Sequence, residues 1–323
     1  MASACALVQA CFQQVHGLLS VGSVFDEIAV QGQLALNSFA GSGQGTIKVV
    51  NANEDQPFQH YTLRHEVISW VSRTLFGNLT YTVRHGPLKG MRRSGGLGWI
   101  PEFGGSSAQL PQDRFFAGVD LSGKVVFDIG AFEGLLTLLF ARRARHVVCY
   151  EPNPRNCTKL RKNLELNGLQ NVTVRQYGLG AEPSRATMVW GPAMPGGSTV
   201  AGTGMSTTLE HRRGVRHEDI EITTVDTELA GPGLPQPDLV KIDVEGYELL
   251  VLQGARRLLE TKRPQLFLEM HGETVSEKKR NVQAIVDYLN TVGYRDILHI
   301  ESGEAISLQN CELAARGHLY VKA

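Results

Sequence analysis

Four ionisable residues follow two apolar segments late in the chain, and their types suit proton transfer. Asp243 and Glu245 come directly after the apolar segment that starts at Leu239, and Glu269 and His271 end the next one. The carboxyl ends of neighbouring parallel strands meet at the edge where open α/β sheets bind ligands, so we expect these four side chains to converge. Such a group could orient a hydroxyl-bearing acceptor and take its proton.

His271 is our candidate for the base, because the ordinary pKa of imidazole, ~6.5, leaves the ring largely neutral at physiological pH. Asp243 or Glu245 would orient that ring or hold acceptor hydroxyls. One alternative gives His271 a purely structural hydrogen-bonding role. Another places a magnesium ion on Asp243, Glu269 and His271, since oxygen-rich ligand sets suit this ion. We predict a site without a metal. Lys241 is expected to pair with a neighbouring carboxylate or to extend toward solvent.

A second group of residues points to a nucleotide-containing cofactor. An apolar segment runs into Asp128-Ile-Gly130-Ala-Phe-Glu-Gly134, and a later one ends in Glu151-Pro152. The two glycines allow a sharp turn on which a ligand could lie against bare backbone. Glu151 could accept hydrogen bonds from both hydroxyls of a ribose. The candidate cofactor-binding residues are Asp128, Gly130, Ala131, Gly134, Glu151, Pro152 and Asp243.

The spacing of the glycines separates two cofactors. A dinucleotide site needs G-x-G-x-x-G, so that a pyrophosphate can reach the helix N-terminus, and this chain has Gly130-x-x-x-Gly134. An acidic strand end also suits a cation better than a phosphate. The pattern therefore favours S-adenosyl-L-methionine over NAD. A glycine turn that binds no ligand is the third interpretation.

From about residue 121 onward, predicted strands alternate with predicted helices, which indicates a parallel sheet covered on both faces. We place strands at 125–129, 147–151, 172–176, 239–243 and 266–270, and helices at 135–143, 155–167, 247–260 and 276–291. Two further strands are expected at 186–190 and 220–225. Residues 191–208 between them predict a long irregular loop, either a substrate lid or a mobile surface loop.

The part before residue 120 reads differently, with a possible helix at 61–76 and an alternating segment at 79–84. We therefore divide the chain into an N-terminal α+β cap at 1–120 and a cofactor-binding domain at 121–323.

Composition excludes several classes of partner. The 323 residues contain 32 basic and 32 acidic side chains, so no net charge favours nucleic acid or a membrane surface. Five scattered cysteines predict neither a disulfide framework nor a zinc site. The first residues lack a basic segment typical of a secretory signal, and we expect a cytoplasmic protein. Composition does not indicate an oligomeric state.

From about residue 125 to 272 the chain resembles the FkbM family of S-adenosylmethionine-dependent methyltransferases. The resemblance rests on residues 127–134 with Thr137, on 151–154 with 163–167, and on 239–248 continuing to 251–255. Residues 224–229 and 263–269 are similar to further landmarks of the family. The first block usually carries Asn where this chain has Phe132.

This resemblance implies a Rossmann-like class I methyltransferase fold: a mostly parallel seven-stranded sheet with helices on both faces and an antiparallel seventh strand, here at 318–322. Members of the family typically methylate hydroxyl groups of natural products or of sugars in glycans. We therefore expect an O-methyltransferase whose partner is a small-molecule or glycan acceptor with a free hydroxyl. The alternatives are a non-catalytic scaffold with the same fold, an NAD-dependent oxidoreductase and, less favoured, a nucleic-acid methyltransferase.

Overall fold

The computed structural model describes residues 77, 79–95, 111–191, 194–202, 206, 210 and 214–323. The helix predicted at 61–76 lies outside the described residues. The described helices and strands, in chain order, are β1 (Thr80–Thr82), β2 (Arg92–Ser94), α1 (Pro111–Gly118), β3 (Val125–Ile129), α2 (Leu135–Ala141), β4 (His146–Tyr150), α3 (Pro154–Leu166), β5 (Val172–Arg175), β6 (Gly178–Leu179), β7 (Ser184–Gly191), β8 (Met194–Val200), β9 (Arg216–Thr223), α4 (Val225–Ala230), β10 (Leu239–Ile242), α5 (Glu248–Gln253), α6 (Arg256–Thr261), β11 (Gln265–Glu269), α7 (Val275–Thr291), β12 (Asp296–His299) and β13 (His318–Lys322).

The central sheet has seven strands in the order β12-β13-β11-β10-β3-β4-β5. β11, β10, β3, β4 and β5 pair in parallel, and β13 runs antiparallel to both of its neighbours. The mostly parallel α/β sheet and its antiparallel strand at His318–Lys322 are therefore confirmed. Parallel strands bring all their carboxyl ends to one edge, and the predicted site residues follow those ends.

Each face of this sheet carries an apolar core, as the alternation of side chains along a strand requires. On β3, Val125 and Phe127 belong to the core on one face, which includes residues of α5, α6 and α7. Val126 belongs to the opposite core with Phe116, Leu138 and residues of α3. Among the described residues, no helix combines the length and apolar character needed to span a bilayer.

The hairpin of β1 and β2 is attached to α3 by two asparagine side chains. Asn163 Oδ1 accepts a hydrogen bond from the Ser94 backbone N–H at 2.8 Å, and its Nδ2 donates to the carbonyl of Glu133 at 2.9 Å. One turn later, Asn167 bonds both the N–H and the carbonyl of Arg92. A side-chain amide thus completes the backbone hydrogen bonding of a strand edge.

A second, four-stranded sheet in the order β6-β9-β7-β8 stands between β5 and β10 in the chain. Residues 194–200, which we predicted as part of an irregular loop, form β8 and pair with β7. That prediction was wrong because hydrogen bonds to β7 hold this segment as a strand, although its glycine-rich composition does not favour one.

The helix predicted at 247–260 is divided into α5 and α6 at Gly254. A Cβ added to Gly254 would lie 2.0 Å from the Gly180 carbonyl oxygen, so only glycine permits this approach. The break therefore allows the close contact of Gly254 with Gly180, directly after β6 of the second sheet.

We predict that Asn163→Ala lowers the free energy of unfolding by about 1 to 3 kcal/mol, because the buried Ser94 N–H and the Glu133 carbonyl lose their partner. Chemical denaturation measures this change, and hydrogen exchange should show faster exchange across residues 79–95. Lys162→Ala, on an exposed side chain of the same helix, is the control and should shift stability by less than about 0.5 kcal/mol. Equal effects of the two substitutions would show that the hydrogen bonds of Asn163 do not stabilise the contact between the hairpin and α3.

Candidate active site

The turn after β3 uses its own backbone donors within the protein. The N–H groups of Gly130 and Ala131 both donate to the Tyr150 carbonyl at 3.0 Å, and that of Phe132 donates to Glu151 Oε2 at 2.9 Å. A phosphate-binding turn must instead direct such groups at the anion. These three donors are therefore not available to a pyrophosphate.

The two glycines of this turn are required by contacts inside the protein. A Cβ on Gly130 would lie 1.7 Å from the Asp243 carbonyl oxygen, and one on Gly134 would lie 3.0 Å from Leu160 Cγ. Both residues also have positive φ angles, 79° and 88°. Close packing of the turn against the end of β10 and against α3 thus gives a reason for glycine besides the ligand contact that we expected.

Phe132 occupies the left-handed region of backbone space, with φ of 51°. Bulky L-residues rarely adopt this conformation, whereas Asn tolerates it better, which gives a physical reason for the usual Asn at this position of the first block. The N–H that this conformation directs at Glu151 links the turn to the end of β4. Strained backbone of this kind tends to occur at functional sites.

Glu151 is buried at the end of β4 and is already well bonded. Its Oε1 accepts from the Asn153 N–H at 2.9 Å and from Asn156 Nδ2 at 3.1 Å, and its Oε2 accepts from Phe132. Burial raises the pKa of this carboxyl, and the three hydrogen bonds partly offset the rise. Because a carboxylate has about four acceptor positions, room for a further donor remains mainly at Oε2.

Lys241 is buried between two carboxylates on adjacent strands. Its Nζ lies 3.0 Å from Asp243 Oδ2 and 3.4 Å from Asp128 Oδ1, and it donates to the Gly130 carbonyl at 2.9 Å. Burial disfavours the ammonium, but Asp243 and Asp128 outweigh this effect and raise the pKa of Lys241. Of our two expectations for this residue, pairing with a carboxylate is the observed one.

Asp128 has no exposed surface, and its Oδ2 accepts a hydrogen bond from Thr137 at 2.5 Å. Its Oδ1 faces Lys241 as an ion pair without a hydrogen bond. We expected Asp128 to bind the cofactor directly. Its burial favours a positioning role through Lys241 instead.

His271 lies among four carboxylates, as the convergence of strand ends predicted. Its Nδ1 is 2.8 Å from Glu248 Oε1, and its Nε2 is 3.6 to 3.7 Å from oxygens of Asp243, Glu245 and Glu269. Burial opposes the positive charge, but Glu248, Glu245 and Asp243 together raise the pKa of His271 to about 10. The carboxylates around the ring thus favour the imidazolium over the neutral imidazole base that we expected.

The carboxylates around His271 differ from one another in their protonation. Burial works to raise the pKa of Asp243, but Lys241 and His271 overcome it and lower that pKa. Burial raises the pKa of Glu245 to about 7; His271 opposes the rise, whereas neighbouring carboxylates, Asp243 foremost, add to it. Of these two carboxyls, Glu245 is thus the one that titrates near neutrality.

The ligand atoms of Asp243, Glu269 and His271 lie within 4.8 Å of one another, which is close enough for one ion. The Lys241 ammonium, however, already neutralises Asp243 at 3.0 Å. We keep the prediction of a site without a metal.

Residues outside our prediction complete the arrangement. Glu248 orients His271, Thr137 bonds Asp128, and Thr199 of β8 donates to the Glu245 carbonyl at 3.0 Å. Glu248 belongs to the same block of sequence as Asp243, so its presence in an acidic motif was a usable signal. No pattern in the sequence pointed to Thr199.

The strand order and the convergence of charged residues at one sheet edge define the fold of a Rossmann-like class I methyltransferase. The family model described as "Methyltransferase FkbM domain" matches residues 128–295, which is more than half of the chain. The chain belongs to this family.

Two relatives and one solved structure are similar to the chain. "Methyltransferase 1" of Beauveria bassiana is 28% identical over 160 residues, covering 46% of this chain and 60% of the relative. "Hexuronic acid methyltransferase AglP" of Haloferax volcanii is 28% identical over 138 residues, covering 42% and 52%. A crystal structure of methyltransferase FkbM from Methylobacillus flagellatus has a TM-score of 0.40 at 19% identity, covering 64% of this chain and 45% of that chain. The chain thus spans between half and two thirds of the length of these curated relatives.

S-adenosyl-L-methionine is the cofactor that this family uses, and the charges of the site fit it. The site edge carries Asp243, Glu245, Glu248 and Glu269, against the cations Lys241 and His271. His318 lies 3.6 Å from Glu269, and Lys278 is within electrostatic range of Glu245. Asp243, whose pKa is lowered by Lys241 and His271, is the carboxylate best suited to face an ammonium or sulfonium group.

We predict that Phe132→Gly is more stable than Phe132→Ala by about 1 kcal/mol, because both substitutions remove the ring and only glycine accepts a φ of 51° without strain. Denaturant titration of the two variants measures the difference. The matched pair Leu135→Gly and Leu135→Ala, at a half-exposed helical position, should show the opposite order. Alanine as the better residue at position 132 would argue against the left-handed backbone.

We predict that Lys241→Met lowers the free energy of unfolding by roughly 3 to 5 kcal/mol, because it leaves two carboxylates buried without their cation. Adding Asp128→Asn to this variant should restore part of the loss. Thermal unfolding of the single and double variants provides the measurement, and the exposed Lys262→Met is the control. No recovery in the double variant would mean that Asp128 is not the partner that Lys241 neutralises.

Proposed function

We propose that the protein transfers a methyl group from S-adenosyl-L-methionine to a hydroxyl group of a small-molecule or glycan acceptor. The observation that carries this proposal is the convergence of Asp243, Glu245, Glu269 and His271 at the sheet edge beside the turn at Gly130. Transfer from an activated methyl group needs an oriented acceptor and a group that takes its proton. This cluster can supply both.

For the cofactor, Glu151 is the proposed partner of the ribose. Its Oε1 already accepts two hydrogen bonds, so one new hydrogen bond at Oε2 fits the geometry better than the bidentate contact that we expected. Gly130, Ala131, Gly134 and Pro152 would shape the turn and strand end around the cofactor. Asp243 is the proposed neighbour of its cationic groups, since its carboxylate stays ionised.

An NAD-dependent oxidoreductase is disfavoured by the same turn. Its Gly130, Ala131 and Phe132 N–H groups are bonded within the protein, and the glycine spacing lacks the dinucleotide pattern. A scaffold without turnover would not require so many ionisable groups at one edge. We propose the enzyme over both alternatives.

For the acceptor, the four carboxylates around His271 favour a part that carries hydroxyl groups and can donate hydrogen bonds to them. One relative is named for methylation of a hexuronic acid, and we propose sugars as the first class to test. D-glucose and D-glucuronic acid form a matched pair of probes that differ in charge. We further propose that residues 121–323 carry the reaction and that the region before residue 120 contributes to acceptor choice.

We predict that the protein binds S-adenosylhomocysteine and that Glu151→Ala weakens this binding about tenfold or more, because a charge-assisted hydrogen bond to the ribose is lost. Titration calorimetry measures the affinity, with NADH as a parallel ligand. Glu165→Gln, an exposed carboxylate on α3, is the control and should bind like the wild type.

Two outcomes would overturn the proposed function. Binding of NADH without S-adenosylhomocysteine would favour the oxidoreductase, and binding of neither ligand would favour the scaffold. Thermal unfolding of Glu151→Ala in parallel separates lost affinity from lost folding. Methyl transfer from labelled cofactor to the two sugars is then assayed in the presence of EDTA, where we expect full activity because we propose a site without a metal.

A further inference from the structure

We propose that Glu245, held in place by Thr199 of the second sheet, is the residue that takes the proton from the acceptor hydroxyl. This inference rests on the proposed function. It assigns to Glu245 the role that sequence reasoning gave to His271, and it gives the second sheet a part in the reaction.

Glu245 has the position that the role requires. It follows β10 by three residues at the carboxyl edge of the sheet, where its Oε2 lies 3.6 Å from His271 Nε2. Its side chain is 22% exposed, against 11% for His271, so it is the more open of the two to an incoming acceptor. His271 is also held by Glu248 at 2.8 Å, and its carboxylate neighbours favour its protonated form.

The backbone of Glu245 is strained and is held from the second sheet. Its φ is 53°, which a residue with a long side chain rarely adopts. The hydroxyl of Thr199 donates to the Glu245 carbonyl at 3.0 Å, and Thr199 is 2% exposed. Two residues later, Tyr247 packs against the apolar cluster of that sheet. These two contacts hold the backbone at Glu245 and so limit the directions that its side chain can take.

Charged groups on several elements face this carboxyl. On its own loop this is Asp243, at the start of α5 it is Glu248, and on β11 and the residues that follow it they are Glu269 and His271. Lys278 on α7 is within electrostatic range as well. Burial and the three carboxylates raise the pKa of Glu245 to about 7 against the opposing effect of His271. The group can therefore accept a proton and release it again near neutral pH.

The methyl transfer needs only the acceptor hydroxyl, Glu245 and S-adenosyl-L-methionine as the methyl donor. The acceptor oxygen forms a bond to the methyl carbon, and the bond between that carbon and sulfur breaks with its electron pair left on sulfur. The hydroxyl proton passes to the Glu245 carboxylate, and from there to solvent. His271 stays protonated and stabilises the ionised form of Glu245 before the transfer.

The pH dependence of methyl transfer tests the assignment, using whichever of D-glucose and D-glucuronic acid is methylated faster. We expect the wild-type rate to rise with pH through about 7, because Glu245 must be ionised to accept the proton. Glu245→Gln should lower the rate about a hundredfold or more and remove this rise. Glu221 is an exposed carboxylate on β9, and the control Glu221→Gln should keep the wild-type rate and its rise with pH. A Glu245→Gln variant with a similar rate and the same rise would overturn the proposal.

Infrared titration separates failure of this proposal from failure of the proposed function, since it needs no acceptor. We expect the band of a protonated carboxyl group to disappear as the pH rises through about 7 in the wild type and to be absent from Glu245→Gln. If neither sugar is methylated but this band titrates as expected, the acceptor class is wrong and the protonation of Glu245 stands. If the band does not titrate there, the assignment of Glu245 is overturned whatever the acceptor.

The role of Thr199 has its own measurement. Thr199→Val should lower kcat by about fivefold to tenfold with the affinity for S-adenosylhomocysteine unchanged, and Thr199→Ser should restore it because the hydroxyl returns. Thr187→Val removes a hydroxyl elsewhere in the same sheet, where it bonds Asp219, and serves as the control. Equal loss in Thr199→Ser and Thr199→Val, or in Thr187→Val, would show that only packing of the sheet was disturbed.

Discussion

The ion pairs of Lys241 with Asp128 and Asp243 are the interaction on which the rest of the site depends. Lys241 lies opposite Asp128 across β10 and β3, and both side chains are almost fully buried. A buried ammonium is stable only with its carboxylates in place, so the pairing fixes the register of the two central strands at their ends. The same contact keeps Asp243 ionised at the site edge. The alignment of β10 with β3 and the charge of Asp243 thus both depend on Lys241.

The two loops that leave these central strands share a further property. Phe132 after β3 and Glu245 after β10 both have left-handed backbone. The Phe132 N–H donates to Glu151, and the Glu245 carbonyl accepts from the Thr199 hydroxyl. Phe132 is linked to the end of β4, and Glu245 to the second sheet. The candidate site is therefore formed by loops whose conformations depend on elements distant in sequence. Its geometry depends on the correct packing of those elements.

The sequence pattern predicted the five parallel strands of the central sheet closely, missed β12, and predicted β7 and β9 of the second sheet. β3 has the expected bounds, because a continuous apolar segment followed by a turn is a local signal, and β13 has the bounds that the family resemblance implied. β8 was missed, since its order comes from pairing with β7. The division of a long helix at Gly254 was missed as well, because it is caused by Gly180, a residue more than seventy positions away. Of the site, the acidic residues and His271 were found, while Thr199 and the role of Glu248 were not.

The sequence by itself determined the class of fold, the cofactor family and the residues at the strand ends, because spacing and residue type are enough to place side chains at one edge of a parallel sheet. The tertiary structure decided what each of those residues does. The charge state of His271 and Glu245 is set by burial and by several charged neighbours that act together. The reason for glycine at position 130 is the backbone of Asp243. Such effects depend on distances of a few ångströms between segments far apart in the chain, and no local pattern encodes them.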